Sequence, residues 1–250
     1  MLRSSRKVLT LRLSPHGYSV SPGSLHGGTW QRWPKLGDNI APTVEQHLDT
    51  LRFEEDVQCP QLDVVLDSAL SRAQIVQFPA GVRKPVERQA FLKAAFRNVF
   101  GAEAAEWHIV AETAYANEAV PAVAIDASLM QALGKLCERH AMQLRSLRTS
   151  FVDCFNRLRS QLSGHIGAFA LIERERVSIG LWRRRGWVAI STLAVATEDG
   201  AGIAALHAQM LARIDEPLHD GTLYVAGSKK AFAVPLPEGW TLQWLTTDTH

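Results

Sequence analysis

Strong charge is the first thing missing from this sequence. Its 250 residues carry 27 Lys and Arg against 25 Asp and Glu, a formal net charge of +2, which leaves no field strong enough to gather nucleic acid or an anionic membrane surface. Long apolar runs are missing too, since nowhere do about 18 apolar residues follow one another. The basic start at Arg3, Arg6 and Lys7 leads into alternating Leu9, Leu11 and Leu13 rather than a continuous signal segment. The expectation is a chain that neither spans a membrane nor is addressed to one. Cysteine is scarce. Cys59, Cys137 and Cys154 are odd in number and lack metal-type spacing, which suits reduced thiols in a cytoplasmic compartment rather than a disulfide framework.

The recurrent catalytic motifs are absent as well. No G-x-S-x-G elbow occurs, so His26-Gly27-Gly28, which resembles the oxyanion-hole segment of esterases, has no nucleophile to serve and reads as a loop. Nine histidines are scattered without H-E-x-x-H spacing, and His140 reads as a core residue on an apolar helix face. No metal is expected. A two-metal nuclease needs carboxylates on its first strand, and Val8 to Leu13 has none. Asp63 and Asp67 flank a strand at i, i+4, where turn capping and solvation account for Asp67. Cys137 and Cys154 lie on or beside apolar helical stripes, where a thiol is a small hydrophobe.

What is present is a dense set of structural signals. Leu62 to Leu66 is a short apolar run suited to a buried strand, and Ala73 to Phe78 is a second, bounded by Pro79, Gly81 and Pro85. A helix follows, with Pro85 in its first turn, Leu92, Phe96, Val99 and Phe100 at helical spacing, and Gly101 placed to stop it. Together they read as a strand, strand, helix unit. Upstream, Val8 to Leu13, Tyr18 to Val20 and Thr29 to Trp33 form a meander, and Val44, His47, Leu48, Leu51 and Arg52 carry a helical pattern. Downstream, Trp107 to Ala111, Ala122 to Ile125 and Gln143 to Leu147 read as strands. Asp126 caps a helix that presents Leu129, Leu133, Leu136, Cys137 and His140 on one face.

Phe151, Phe155, Leu158 and Leu162 then define a linking helix, followed by strands at Ala168 to Ile172, Val177 to Trp182 and Trp187 to Thr192. Ile203 to Ile214 reads as a helix, and Thr222 to Ala226 and Thr241 to Leu245 as the last strands. The organisation is α/β with two lobes that each open on antiparallel strands: residues 1–149, with a small inserted subdomain around 69–115, and residues 150–250. No internal repeat is visible in the residues themselves.

Two meander-led lobes joined by a helix match the layout of the actin, sugar-kinase and heat-shock chaperone superfamily. The wording of VVLDSALSR, VQFPAGVR, ERQAFLKAAFRNVFG, AVAIDASLMQAL and the CFNRLR of Cys154 to Arg159, together with the Trp107 strand, resembles the family of the type II secretion protein GspL (its cytoplasmic domain) and PilM of type IV pilus assembly. The resemblance runs from about Leu62 to Trp187. It implies an actin-like (RNase H-like) fold with a mixed sheet and helices in each lobe and a truncated second lobe. It implies a scaffold on the cytoplasmic face of a bacterial inner membrane, docked on a membrane partner's cytoplasmic tail, with a secretion ATPase as a further contact and a homodimer left open. Membrane association comes only through the partner, as for peripheral PilM.

An actin-like ATPase presents an Asp-x-Gly turn between the first two strands of each lobe, where N–H groups and a carboxylate hold phosphates and magnesium. Here the first turn is Ser14-Pro15-His16-Gly17 and the second Glu173-Arg174-Glu175-Arg176. Pro15 removes a donor, and the second turn has no glycine. The adenosine-side loop after Leu223 to Ala226 offers a single glycine, Gly227. Ser14, Gly17, Glu173 and Gly227 are thus the residues that would line a nucleotide crevice, and the expectation is no cofactor and no catalysis. The alternative is a divergent nucleotide-binding protein. The most concentrated basic and aromatic feature is Trp182, Arg183, Arg184, Arg185 and Trp187, which reads either as a partner contact, since Trp and Arg anchor interfaces, or as a solvated hairpin end.

Overall fold

The computed structural model describes residues 8–23, 28–33, 61–112, 118–174, 176–184, 186–194, 200–227 and 231–246. The chain divides into two units. The first draws on Met1–Ser71 and Ile125–Asp153, the second on Arg72–Ala124 and Cys154–Thr247. The helical pattern at Val44 to Arg52, Cys59 and the His26-Gly27 pair lie outside the described residues.

The first unit is built on a five-stranded sheet. Its strands are β1 (Val8–Ser14), β2 (Gly17–Pro22), β3 (Gln31–Arg32), β4 (Gln61–Leu66) and, from later in the chain, β8 (Gln143–Thr149), in the order β3-β2-β1-β4-β8. β2 is antiparallel to β1 and β3, while β4 runs parallel to β1 and β8. Period-two alternation aims Leu9, Leu11 and Leu13 at one face. There they meet Leu62, Val64 and Leu66 of β4 and Leu129, Leu133 and Leu136 of helix α2 (Ala127–Arg139). α2 starts where the sequence says, because the Asp126 carboxylate accepts the Ser128 N–H at 3.0 Å. It stops before His140, which is half-buried at the helix end and not on the core face.

In the second unit the order repeats. β9 (Ile166–Ile172), β10 (Arg176–Arg183) and β11 (Gly186–Ala194) form an antiparallel meander, and β12 (Gly221–Ala226) and β13 (Trp240–Trp244) extend it in parallel, giving β11-β10-β9-β12-β13. Position for position this is the order of the first unit, with like pairing directions. Helix α4 (Gly200–Leu211) lays Ile203, Leu206 and Met210 on Ala168, Ala170, Ile179, Leu223 and Val225. It is the one helix between β11 and β12 among the described residues.

The second unit also holds the segment Arg72–Ala124. Strands β5 (Arg72–Gln77), β6 (Trp107–Ala111) and β7 (Ala119–Asp126) form a sheet in the order β5-β7-β6 under helix α1 (Pro85–Phe100). The core beneath the helix is Val76, Phe78, Leu92, Phe96, Ile109, Val120 and Ala122. The strand, strand, helix succession stands where the sequence put it, but the runs at Leu62 and Ala73 enter different sheets, so only the second strand packs with the helix. The turn between them is fixed by Asp67, whose Oδ1 accepts the Ala69 N–H at 2.8 Å. Gly101 ends α1 at φ +90 as its position predicts, but Val99 is 62% exposed, off the apolar face assigned to it from spacing.

Candidate functional site

The β1–β2 turn is closed on itself. Ser14 is buried, its hydroxyl accepts the His16 N–H at 3.0 Å, and its carbonyl accepts the Trp33 indole N–H at 2.9 Å. Gly17 is a glycine because a Cβ there would lie 2.2 Å from the Gln31 carbonyl and 2.9 Å from the Trp30 indole nitrogen. The segment Trp30 to Trp33 thus occupies the space beside the turn, with the Trp33 ring stacked on Tyr18 at 4.6 Å. Chemically this is a hydroxyl-capped turn with no carboxylate.

Glu173 and Gly227 meet at one end of the second unit's sheet, where parallel strands β9 and β12 finish side by side. The Glu173 N–H donates to the Arg176 carbonyl at 2.8 Å, which closes the β9–β10 turn. Gly227 has φ +97, and a Cβ on it would lie 2.2 Å from the Ile172 carbonyl. Both conformation and crowding demand glycine there with no ligand involved. Ser14 and Gly17 belong to the other unit.

The aromatic and arginine cluster comes apart, and one part of its sequence reading is corrected. Trp182 is only 8% exposed and its ring covers Gly167, where a Cβ would sit 2.3 Å from the indole. It stacks on Tyr224 at 6.0 Å and faces Phe155 and Trp187, so it is a core residue of the second unit and not a surface anchor. Half-buried Trp187 packs on Phe155 at 4.6 Å in the same cluster. Arg183 pairs with the Glu216 carboxylate and donates to its carbonyl at 2.6 Å. Arg184 is exposed at φ +58 in the β10–β11 turn, and Arg185 lies outside the described residues.

The other candidate groups are explained by structure. Asp63, 1% exposed, accepts from Arg145 Nε and Ser146 Oγ, each at 2.8 Å, with Arg148 3.6 Å away. The hydrogen-bonded Arg145 guanidinium holds this carboxyl below the usual carboxylate range, against the opposing pull of burial. Asp63 is the ion-pair partner of Arg145. Cys137 and Cys154 are buried, and burial, with the Glu138 charge second, pushes the Cys137 thiol up and away from reactivity. Gly28 packs on β2, where a Cβ would lie 2.5 Å from the Val20 carbonyl.

Sequence reasoning missed a cleft of about 640 Å³ within the second unit. Its walls are β5 (Arg72, Gln74, Ile75), β10 (Arg176, Arg183), β11 (Val188, Ile190, Ser191) and the turn from Arg213 to Glu216. Burial, then the neighbouring Arg176 charge, lowers the Arg72 pKa against the pull of Glu103. The Arg72 guanidinium lies 5.9 Å from the Trp107 ring centre. Its four arginines span residues 72 to 213, so no local motif could announce them.

No family model matches the sequence, and no curated protein matches it. Among solved structures the chain is similar to the cytoplasmic domain of EpsL, an inner membrane component of the type II secretion system of Vibrio cholerae (TM-score 0.59, 12% identity, 96% of this chain and 90% of that one). It is similar to a chain of a PilM–PilN type IV pilus biogenesis complex (TM-score 0.58, 14% identity, 89% and 82%). It is also similar to a protein of actin-like ATPase fold and unknown function from Bacteroides thetaiotaomicron VPI-5482 (TM-score 0.57, 15% identity, 91% and 86%). The fold of this chain is actin-like. Among the described residues no helix is long and apolar enough to cross a membrane.

Proposed function

We propose that this chain is a non-catalytic scaffold of a type II secretion or type IV pilus-type assembly. It docks on the cytoplasmic tail of an inner-membrane assembly protein, is held at the cytoplasmic face of the membrane through that partner, and offers a further contact to a secretion ATPase. The observation that carries this reading is the β1–β2 turn. Where an actin-like ATPase needs free N–H groups and a carboxylate, Pro15 has no N–H, the His16 N–H is taken by Ser14, and Trp33 and Gln31 crowd the turn. A fold kept while its phosphate grip is lost favours recognition of another protein.

The competing reading is a divergent nucleotide-binding protein, and the meeting of Glu173 with Gly227 at the ends of β9 and β12 is the feature in its favour. Calorimetric titration with Mg-ATP separates the two. The scaffold reading expects no binding tighter than about 100 μM, roughly 5.5 kcal/mol. Tighter binding, lost when Glu173→Arg is introduced, would establish the nucleotide reading instead. Co-expression with a bitopic membrane protein encoded beside this chain, read as a stoichiometric complex, tests the docking half.

A further inference from the structure

Helix α1 covers its sheet with Leu92 and Phe96, which are buried, yet its outward side is not the polar surface that a solvated helix presents. Val86, Ala90 and Ala94 recur there at i, i+4 and i+8, all exposed, Val86 at 81%. Around them stand Arg83, Lys84, Lys93 and Arg97, exposed as well. One carboxylate on the helix answers these charges, and it is engaged. Glu87 lies 3.8 Å from Lys84 and accepts the Arg83 and Lys84 N–H groups at 3.3 and 3.2 Å. The Arg83 side chain turns back to the Ala80 carbonyl at 3.3 Å. Lys93 and Arg97 have no ionic partner among the described residues. The basic stretch ends with the helix, because Glu103 and Glu106 follow in the turn after Gly101.

Charge and side-chain size together say what fits this face. A second copy of α1 would bring four more cations and one carboxylate already held in its own helix cap. An anionic bilayer would meet the charges but find no exposed Trp, Phe or Leu on α1 to bury among its headgroups. Another helix uses both features. Alanine at Ala90 and Ala94 lets a second backbone approach to about 8 Å, with the ridge through Val86, Ala90 and Ala94 seated in its groove. Carboxylates flanking that groove would reach Lys93 and Arg97.

We propose that the outward face of α1 docks an amphipathic helix of a partner protein, its apolar seam on Val86, Ala90 and Ala94 and its flanking Asp or Glu side chains on Lys93 and Arg97. This does not depend on the docking reading. Cytoplasmic flanks of membrane proteins are rich in Lys and Arg, so an acidic helix belongs to a different partner surface.

The test uses the full chain and a fluorescein-labelled 18-residue helical peptide with a Leu and Ala seam flanked by Glu. A Lys-for-Glu twin and phosphatidylglycerol vesicles are run beside it. Anisotropy should show binding of the acidic peptide alone, weakened about tenfold by Lys93→Glu with Arg97→Glu and by raised salt. Amide shifts should map to α1. Ala90→Arg is the discriminating variant, since it keeps a good helix former on an exposed site and adds positive charge while blocking close approach. It should weaken binding several-fold. Tighter binding by Ala90→Arg would reduce the effect to diffuse charge attraction and overturn the proposal. So would no binding at about 1 mM peptide, equal binding of the basic twin, or indifference to the double reversal. Uptake by the vesicles without binding of the acidic peptide would make the face a membrane contact and overturn it too.

Discussion

At 0% exposure, His207 sits inside the second unit with neither ring nitrogen hydrogen-bonded among the described residues, its ring edge-on to Trp240 at 4.4 Å. Burial pushes its pKa down to about 4. The folded value lies below the unfolded one, so the unfolded chain binds the extra proton, and stability falls as pH drops from about 6.5 to about 4 and is flat below. The full loss is about 3 kcal/mol. Urea unfolding at pH 7 and at pH 4.5 measures it, and His207→Leu should flatten this limb while adding about 1 kcal/mol at pH 7 by removing orphaned polar atoms. An unchanged limb in the variant would assign the acid sensitivity elsewhere. Asp63 contributes separately. Its folded pKa is lowered, so the stability from its Arg145 pair is present at neutral pH and is lost only as pH falls through that lowered value, beneath the histidine window.

Strands β9 and β10 meet through a glycine and an indole, and that fit is testable. Gly167→Ala puts a Cβ 2.3 Å from the Trp182 ring and should cost about 2 kcal/mol by overpacking. Trp182→Leu alone leaves a cavity and costs about 3 kcal/mol. The double variant should lose clearly less than the sum in thermal or urea unfolding, because the alanine methyl then fills vacated space. Strict additivity would mean that the two residues do not pack as described. At this scale much was legible. Alternation at Leu9, Leu11 and Leu13, the Asp126 cap and the Gly101 stop are local signals, and the elements stand where those signals put them. Pairing was not legible. β5 leaves the company of β4 because Arg72 pairs with Ala124 and Gln77 with Ala119, partners some 40 to 50 residues away. Trp182 read as a surface anchor because the glycine that receives it lies on another strand. The cleft was invisible for the same reason, its arginines being assembled by three elements of the second unit.

At the scale of the whole molecule, two sheets of identical strand order are threaded by one chain that passes between units at Ser71, Ala124 and Asp153. Two elements straddle those passages. β7 starts in the second unit and ends in the first, and helix α3 (Ser150–Leu158) starts in the first and ends in the second. Within α3, Asp153 pairs with Arg12 at 2.9 Å in the first unit, while Phe155 packs edge-on to Phe169 at 5.6 Å in the second. A hydrogen-bonded helix anchored at both ends transmits the loss of either anchor along its length, so unfolding should be one cooperative event. Five of the seven tryptophans (Trp107, Trp182, Trp187, Trp240 and Trp244) lie in the second unit, so fluorescence is weighted toward it while backbone dichroism reports on both, and their urea transitions should coincide. Asn156→Pro is the discriminating variant. Asn156 is exposed, so the substitution removes little packing. A proline there breaks the bond to the Val152 carbonyl and costs about 3 kcal/mol. The two probes should then separate, because the continuous helix no longer carries the coupling. Transitions already separate in the unaltered protein would show that α3 links the units only as a tether.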